Sequence, residues 1–67
     1  MSVAKVTEII SSSSKGIEDA VRTGVARASK TLNNIQGVWV SDIKCTVDGE
    51  NIAEWRCTLK ITFVLDD

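Results

Sequence analysis

The sequence predicts an α+β fold in the order strand, helix, strand, strand, and three observations carry that expectation. Apolar residues recur at helical spacing from Ile17 to Ile35, as they do on one face of an amphipathic helix. Along the last strand, Ala53, Trp55, Cys57, Leu59, Ile61, Phe63 and Leu65 are apolar, while Glu54, Arg56, Thr58, Lys60 and Thr62 between them are polar. Alternation with period two marks a strand with one buried face. Residues 3 to 11 are rich in β-branched side chains, which suit extended backbone.

Each element follows in turn. The first strand covers 3–11. Ser11 to Ser14 come next, and serine oxygens accept hydrogen bonds from the free N–H groups of a helix start, so Ser13 or Ser14 is the expected N-cap. The helix is expected from about residue 15 to 34, with Ile17, Ala20, Val21, Gly24, Val25, Ala28, Leu32 and Ile35 along its buried stripe. Glu18, Asp19, Arg22, Arg27 and Lys30 take the opposite face, and Glu18 and Arg22 are ordered for an i,i+4 pair. Gly24 costs the helix about 1 kcal/mol relative to alanine, which a close approach to the sheet would explain. Asn33 and Asn34 tolerate left-handed backbone and suit the helix end. Residues 37–47 and 51–65 form a hairpin around Asp48-Gly49-Glu50, with Trp39, Ile43, Cys45 and Val47 expected on the same apolar face as the odd residues of the last strand. A right-handed crossover makes the first two strands parallel and leaves room for the last between them, antiparallel to both.

Residues 1–67 are expected to form a single domain, and one of this size buries only about 60% of its unfolded surface. Staples are missing. Cys45 falls opposite residues near 53 to 55 in any register centred on the turn, so a bridge to Cys57 is unfavourable and buried, reduced thiols are expected. With no histidine, two cysteines do not complete a zinc site. The apolar face of the last strand spans about 40 Å at ~3.3 Å per residue, against about 30 Å for the helix. Oligomerisation is therefore expected. A net charge of −1 lacks the basic footprint of a nucleic-acid binder. No apolar run reaches the ~20 residues that cross a bilayer, and Lys5, Thr7 and Glu8 interrupt any signal-like start. The expectation is a cytoplasmic protein that engages neither nucleic acid nor membrane.

Catalytic chemistry is poorly represented. Histidine and tyrosine are absent, which removes the commonest general base and a common proton donor. Neither a Walker pattern nor a G-x-S-x-G elbow accompanies Ser11 to Ser14, so they read as capping residues. Glu50, Glu54, Asp66 and Asp67 read as solvated carboxylates rather than a cation site, and Asp48-Gly49-Glu50-Asn51 reads as a turn rather than a calcium loop. Arg56 and Lys60, on the polar face, suit a phosphate as well as solvent. Cys57 has no histidine to activate it as a nucleophile. The chain reads as a binding protein, not an enzyme.

The segments S-S-S-x-G-I-E-x-A-V at the helix start, A-R-A-S-K-T-L at 26 to 32 and L-K-I-T-F-V-L-D-D at 59 to 67, with the chain length and element order, resemble the dodecin family. The resemblance runs over the whole chain. It implies a curved three-stranded antiparallel sheet wrapped around one helix, a hollow homododecamer, and a non-enzymatic protein that stores or sequesters a small-molecule ligand, riboflavin or FMN. In flavin-binding members, flavins stack in pairs between tryptophans of two subunits, and a glutamine on the last strand meets the polar edge of the ring. At the matching positions this sequence carries Gly37 for the tryptophan and Arg56 for the glutamine. Trp39 stands where those members usually have a small or acidic residue. Gly37, Trp39 and Arg56 are thus the candidate cofactor-binding residues, with no catalytic or metal-ligating residue among them. Glycine has no π-face, and arginine has only donors. Residues 37 and 39 share a strand face about 7 Å apart. Trp39 is expected either to stack a flavin in a rearranged site or to serve the structure, packed against Leu59 or across a subunit contact. The alternative function is a dodecin-like shell that binds ions or another small molecule instead of flavin.

Overall fold

Four elements occur in the expected order in the computed structural model, which describes residues 2–66. They are β1 (Ala4–Ser13), α1 (Ile17–Ala28), β2 (Ile35–Asp48) and β3 (Asn51–Val64). Met1 and Asp67, the ends of the expected domain, lie outside the described residues, and with Asp67 goes one of the four carboxylates weighed above. β3 is the middle strand and is antiparallel to both neighbours, in the order β1-β3-β2. This is the β-α-β-β arrangement with a three-stranded antiparallel sheet that the element order implies.

Packing on the helix side follows the alternation of β3. Cys57, Leu59 and Ile61 are fully buried, together with Ala20 of α1, and Ala28 is nearly so. Ile9, Val21, Leu32, Ile35 and Val40 pack around them. Gly24 makes the close approach possible: a Cβ there would lie 2.5 Å from Leu59 Cδ1 and 3.1 Å from Ser11 Cβ. Gly24→Ala is expected to lower stability by roughly 1 kcal/mol, because overpacking of about 1–3 kcal/mol outweighs the helix propensity of about 1 kcal/mol that alanine adds. Urea denaturation checks this. A midpoint that rises would mean that Leu59 simply rotates aside.

Both ends of the helix differ from expectation. β1 continues through Ser12 and Ser13, and the N-cap is Gly16, with φ 154° and no side-chain cap. At that φ a Cβ is rarely tolerated. Ser13 still satisfies backbone donors, but those of the preceding turn. Its Oγ accepts hydrogen bonds from the N–H of Lys15 at 2.9 Å and of Gly16 at 3.4 Å, and donates to Asp19 Oδ2 at 2.6 Å. At the other end the helix stops at Ala28, not near residue 34. Ser29 Oγ donates to the carbonyl of Ala26 at 2.8 Å, and the N–H groups of Lys30 and Thr31 turn back three residues, to Arg27 and Ala28. Hydroxyls that compete for helix carbonyls loosen a last turn. Leu32 and Ile35 reach the core from outside the helix. Asn34 is left-handed, at φ 61°, as its residue type allows.

The shorter helix widens the mismatch with the sheet. Twelve residues of helix span about 18 Å at 1.5 Å per residue, whereas the chain is 51 Å along its longest axis. The distal half of the β2–β3 hairpin therefore projects past α1 as an arm. Ile43, Val47 and Ile52 on this arm are 46%, 69% and 47% exposed. Cys45 is exposed there too, against the expectation of a buried thiol, while Cys57 is buried and both are free.

Candidate functional site

Register decides which side chains share a face, since directly opposed residues of a sheet point the same way. On β3 the odd residues Cys57, Leu59 and Ile61 point to the helix. Their β2 partners are Ile43, Val40 and Val38. Ile43 and Cys45, opposite Cys57 and Trp55, are thus on the apolar face as expected. Trp39 is not. It pairs with Lys60, and Gly37 pairs with Thr62, so both lie on the outer face, away from α1.

Trp39 parts from Ile43 and Cys45 at Ser41, one of three irregularities in this pairing. Ser41 has no partner between Val40 and Asp42, and Ala53 has none between Ile52 and Glu54. A bulge puts an extra residue into one strand and shifts the pairing beyond it. Between these two irregularities odd residues oppose odd ones, and outside them odd oppose even, until a third shift at Gln36 sets Ile35 opposite Phe63. Val40, not Trp39, faces Leu59, so the expected packing of Trp39 on Leu59 does not occur.

The outer face reads in rows across the three strands. Val6, Thr62 and Gly37 form one, followed by Glu8, Lys60 and Trp39, then Ile10, Thr58 and Asp42, then Ser12, Arg56 and Lys44. Trp39 is 62% exposed. The Lys60 ammonium lies over its ring, 4.7 Å from the centroid, within the ~6 Å range of a cation–π contact. Beside it, no atom beyond Gly37 and its chain neighbours lies within 4 Å of the point where a Cβ of Gly37 would sit, so the position is open.

Arg56 is elsewhere on this face. It stands four residues along β3 from Lys60, about 13 Å at ~3.3 Å per residue. Its Nη2 donates to Glu54 Oε1 at 3.2 Å, and its Nε donates to Ser12 Oγ at 3.3 Å. The structure therefore brings Gly37 and Trp39 together and leaves Arg56 outside their reach within one subunit. Lys60 joins Trp39 instead. Only the register could have paired those two, and an unbroken register from the turn at Gly49–Glu50 does so, because the two irregularities cancel by the time the ladder reaches Trp39.

No helix among the described residues is long and apolar enough to cross a membrane. Two concavities lie near the end of α1. The larger, of about 330 Å³, is lined by Thr7, Ile9, Arg27, Ala28, Thr31 and Leu32. Neither it nor the second, at Asn33 and Phe63 to Asp66, includes a candidate residue.

Comparison with known proteins gives consistent matches. The model of the family described as Dodecin matches residues 3–66. A dodecin from Thermus thermophilus is 31% identical over 65 residues, covering 97% of this chain and 94% of its own. Among solved structures, the dodecin from Streptomyces davaonensis superposes with a TM-score of 0.93 at 35% identity, covering 98% of this chain and 97% of its own. An arginine-to-alanine variant of the T. thermophilus dodecin gives a TM-score of 0.95 at 30% identity, over 100% of both chains.

Proposed function

This chain belongs to the dodecin family, and on that premise we propose that residues 1–67 form the single-domain subunit of a hollow, cytoplasmic homododecamer. It binds a flavin, riboflavin or FMN, to store or sequester it and catalyses no reaction. The observation that carries this reading is the exposed indole of Trp39 on the outer face, beside the open position of Gly37. An aromatic side chain left this exposed offers a stacking surface, and stacking on one ring contributes about 1–3 kcal/mol in comparable base–aromatic pairs. A residue without a side chain at Gly37 leaves room for a ring that is displaced from the usual position. A flavin supplies a planar heteroaromatic ring with a donor–acceptor edge, and the residues present fit its face. Trp39 would hold the ring and Gly37 would make room for it. Arg56 would contribute from a second subunit, where a symmetry axis brings outer faces together.

Titration with riboflavin and with FMN tests this reading. Flavin and tryptophan fluorescence are expected to be quenched together, and Trp39→Ala is expected to lose roughly tenfold or more in affinity, the equivalent of a stacking contribution of about 1–3 kcal/mol. Unchanged fluorescence of both partners at micromolar flavin would overturn it.

A second reading, a shell of the same assembly that binds ions or another small molecule, is supported by the commitment of Arg56 to Glu54 and Ser12 and by the missing ring at Gly37. Native mass spectrometry of protein refolded with flavin separates the readings: the first requires a flavin mass on the assembly, and the second requires its absence.

A further inference from the structure

We infer that Lys60 is a specificity-determining residue at Trp39, and that the surface they form selects planar aromatic ligands that carry an anionic group over neutral ones of the same shape. The inference deepens the flavin reading and rests on it for the identity of the natural ligand, but not for the chemistry of the surface.

Three cations stand on the outer face, and they are not equivalent. Lys44 is held by Asp42 at 3.7 Å, and Arg56 is held by Glu54 at 3.2 Å. Lys60 has no ion-pair partner among the described residues, although Glu8 stands directly across from it on β1. Its ammonium turns the other way, over the Trp39 ring. A free positive charge and an exposed aromatic plate thus meet on adjacent strands, in one row. A ring that stacks on this side of Trp39 displaces the ammonium, and forfeits the cation–π contact. A neutral ligand bears that loss. A ligand with a phosphate or carboxylate recovers it, because the four-carbon stem of lysine lets the charge follow the anion. Glu8 opposes the same anion from the far side of the row, and limits the selectivity.

The test uses two pairs of probes, each differing by an anionic group: FMN against riboflavin, and 2-naphthoate against 2-naphthamide. Quenching of tryptophan fluorescence gives the affinities. The wild-type protein is expected to prefer the anion of each pair by roughly fivefold at low salt, in line with a single exposed charge contact of up to about 1 kcal/mol. The preference should shrink with added salt, as screening requires. Lys60→Met, which keeps the apolar stem, should abolish it, and Glu8→Gln should enlarge it. An anion preference that survives in Lys60→Met, or none in the wild type, overturns the inference. If neither flavin binds, the functional reading fails, while the naphthalene pair still decides the role of Lys60.

Discussion

Replacing Leu59 by alanine is expected to remove about a third or more of the stability of the isolated fold. Leu59 is fully buried at the centre of the sheet, with Ile9 opposite it on β1, Val40 opposite it on β2, and Gly24 of the helix against its Cδ1. Leucine-to-alanine changes in such positions cost about 2–5 kcal/mol, because lost transfer energy adds to the cavity left behind. The helix cannot settle to close this cavity, since α1 already touches the sheet through a residue with no side chain. A chain of 67 residues has about 3–10 kcal/mol in total at 0.05–0.15 kcal/mol per residue. The urea midpoint should therefore fall by a third or more, measured at several protein concentrations because assembly stabilises the native state by mass action. A loss below about 1 kcal/mol would show that the core collapses around the gap and that Leu59 is not its keystone.

Val47→Asp is expected to have an effect as large, but on assembly. Val47 lies on the projecting arm and is exposed in the single chain, so a carboxylate there meets water and the subunit itself folds. In a closed homo-oligomer every subunit carries the same change, and any contact that buries the arm then buries an unpaired charge. Each such burial costs several kcal/mol. Native mass spectrometry should shift from the proposed dodecamer to small species, while circular dichroism of the subunit stays unchanged. Persistence of the dodecamer with the aspartate in place would mean that the arm stays in solvent, and that another surface carries the contacts.

Much of the fold was legible because its determinants are local. The alternation from Ala53 to Leu65 reports a strand with one buried face, and β3 has that face. Gly24 within an apolar stripe announces close packing, and the structure places Leu59 there. The helix end was illegible for a simple reason: Leu32 and Ile35 keep helical spacing and do reach the core, but from a turn and a strand. Spacing records which residues are buried, not the backbone that carries them. Alternation along β2, carried unbroken through Ser41, puts Trp39 on the face of Ile43 and Cys45, and the irregularity at Ser41, offset by one at Ala53, turns it to the outer face. A serine and an alanine are ordinary strand residues, with no turn or φ signal of their own. Of the three candidate residues, the fold brings together only the neighbours on β2, and Lys60 entered through pairing across strands, which no short-range pattern encodes.

The central position of β3 has a consequence for synthesis. Ribosomes deliver this chain in the order β1, α1, β2, β3, yet β1 and β2 bond only to β3. Until the last of these elements has emerged, β1 has no partner on either edge, and α1 has no sheet to cover. Pairings such as Ala4 with Val64 and Val6 with Thr62 join the two ends of the chain, the costliest kind of loop to close. Growth of the nascent chain thus gives no stepwise reward, and the sheet forms in a single event after translation has passed β3. During that interval the β-branched first strand is an open template for pairing with other chains.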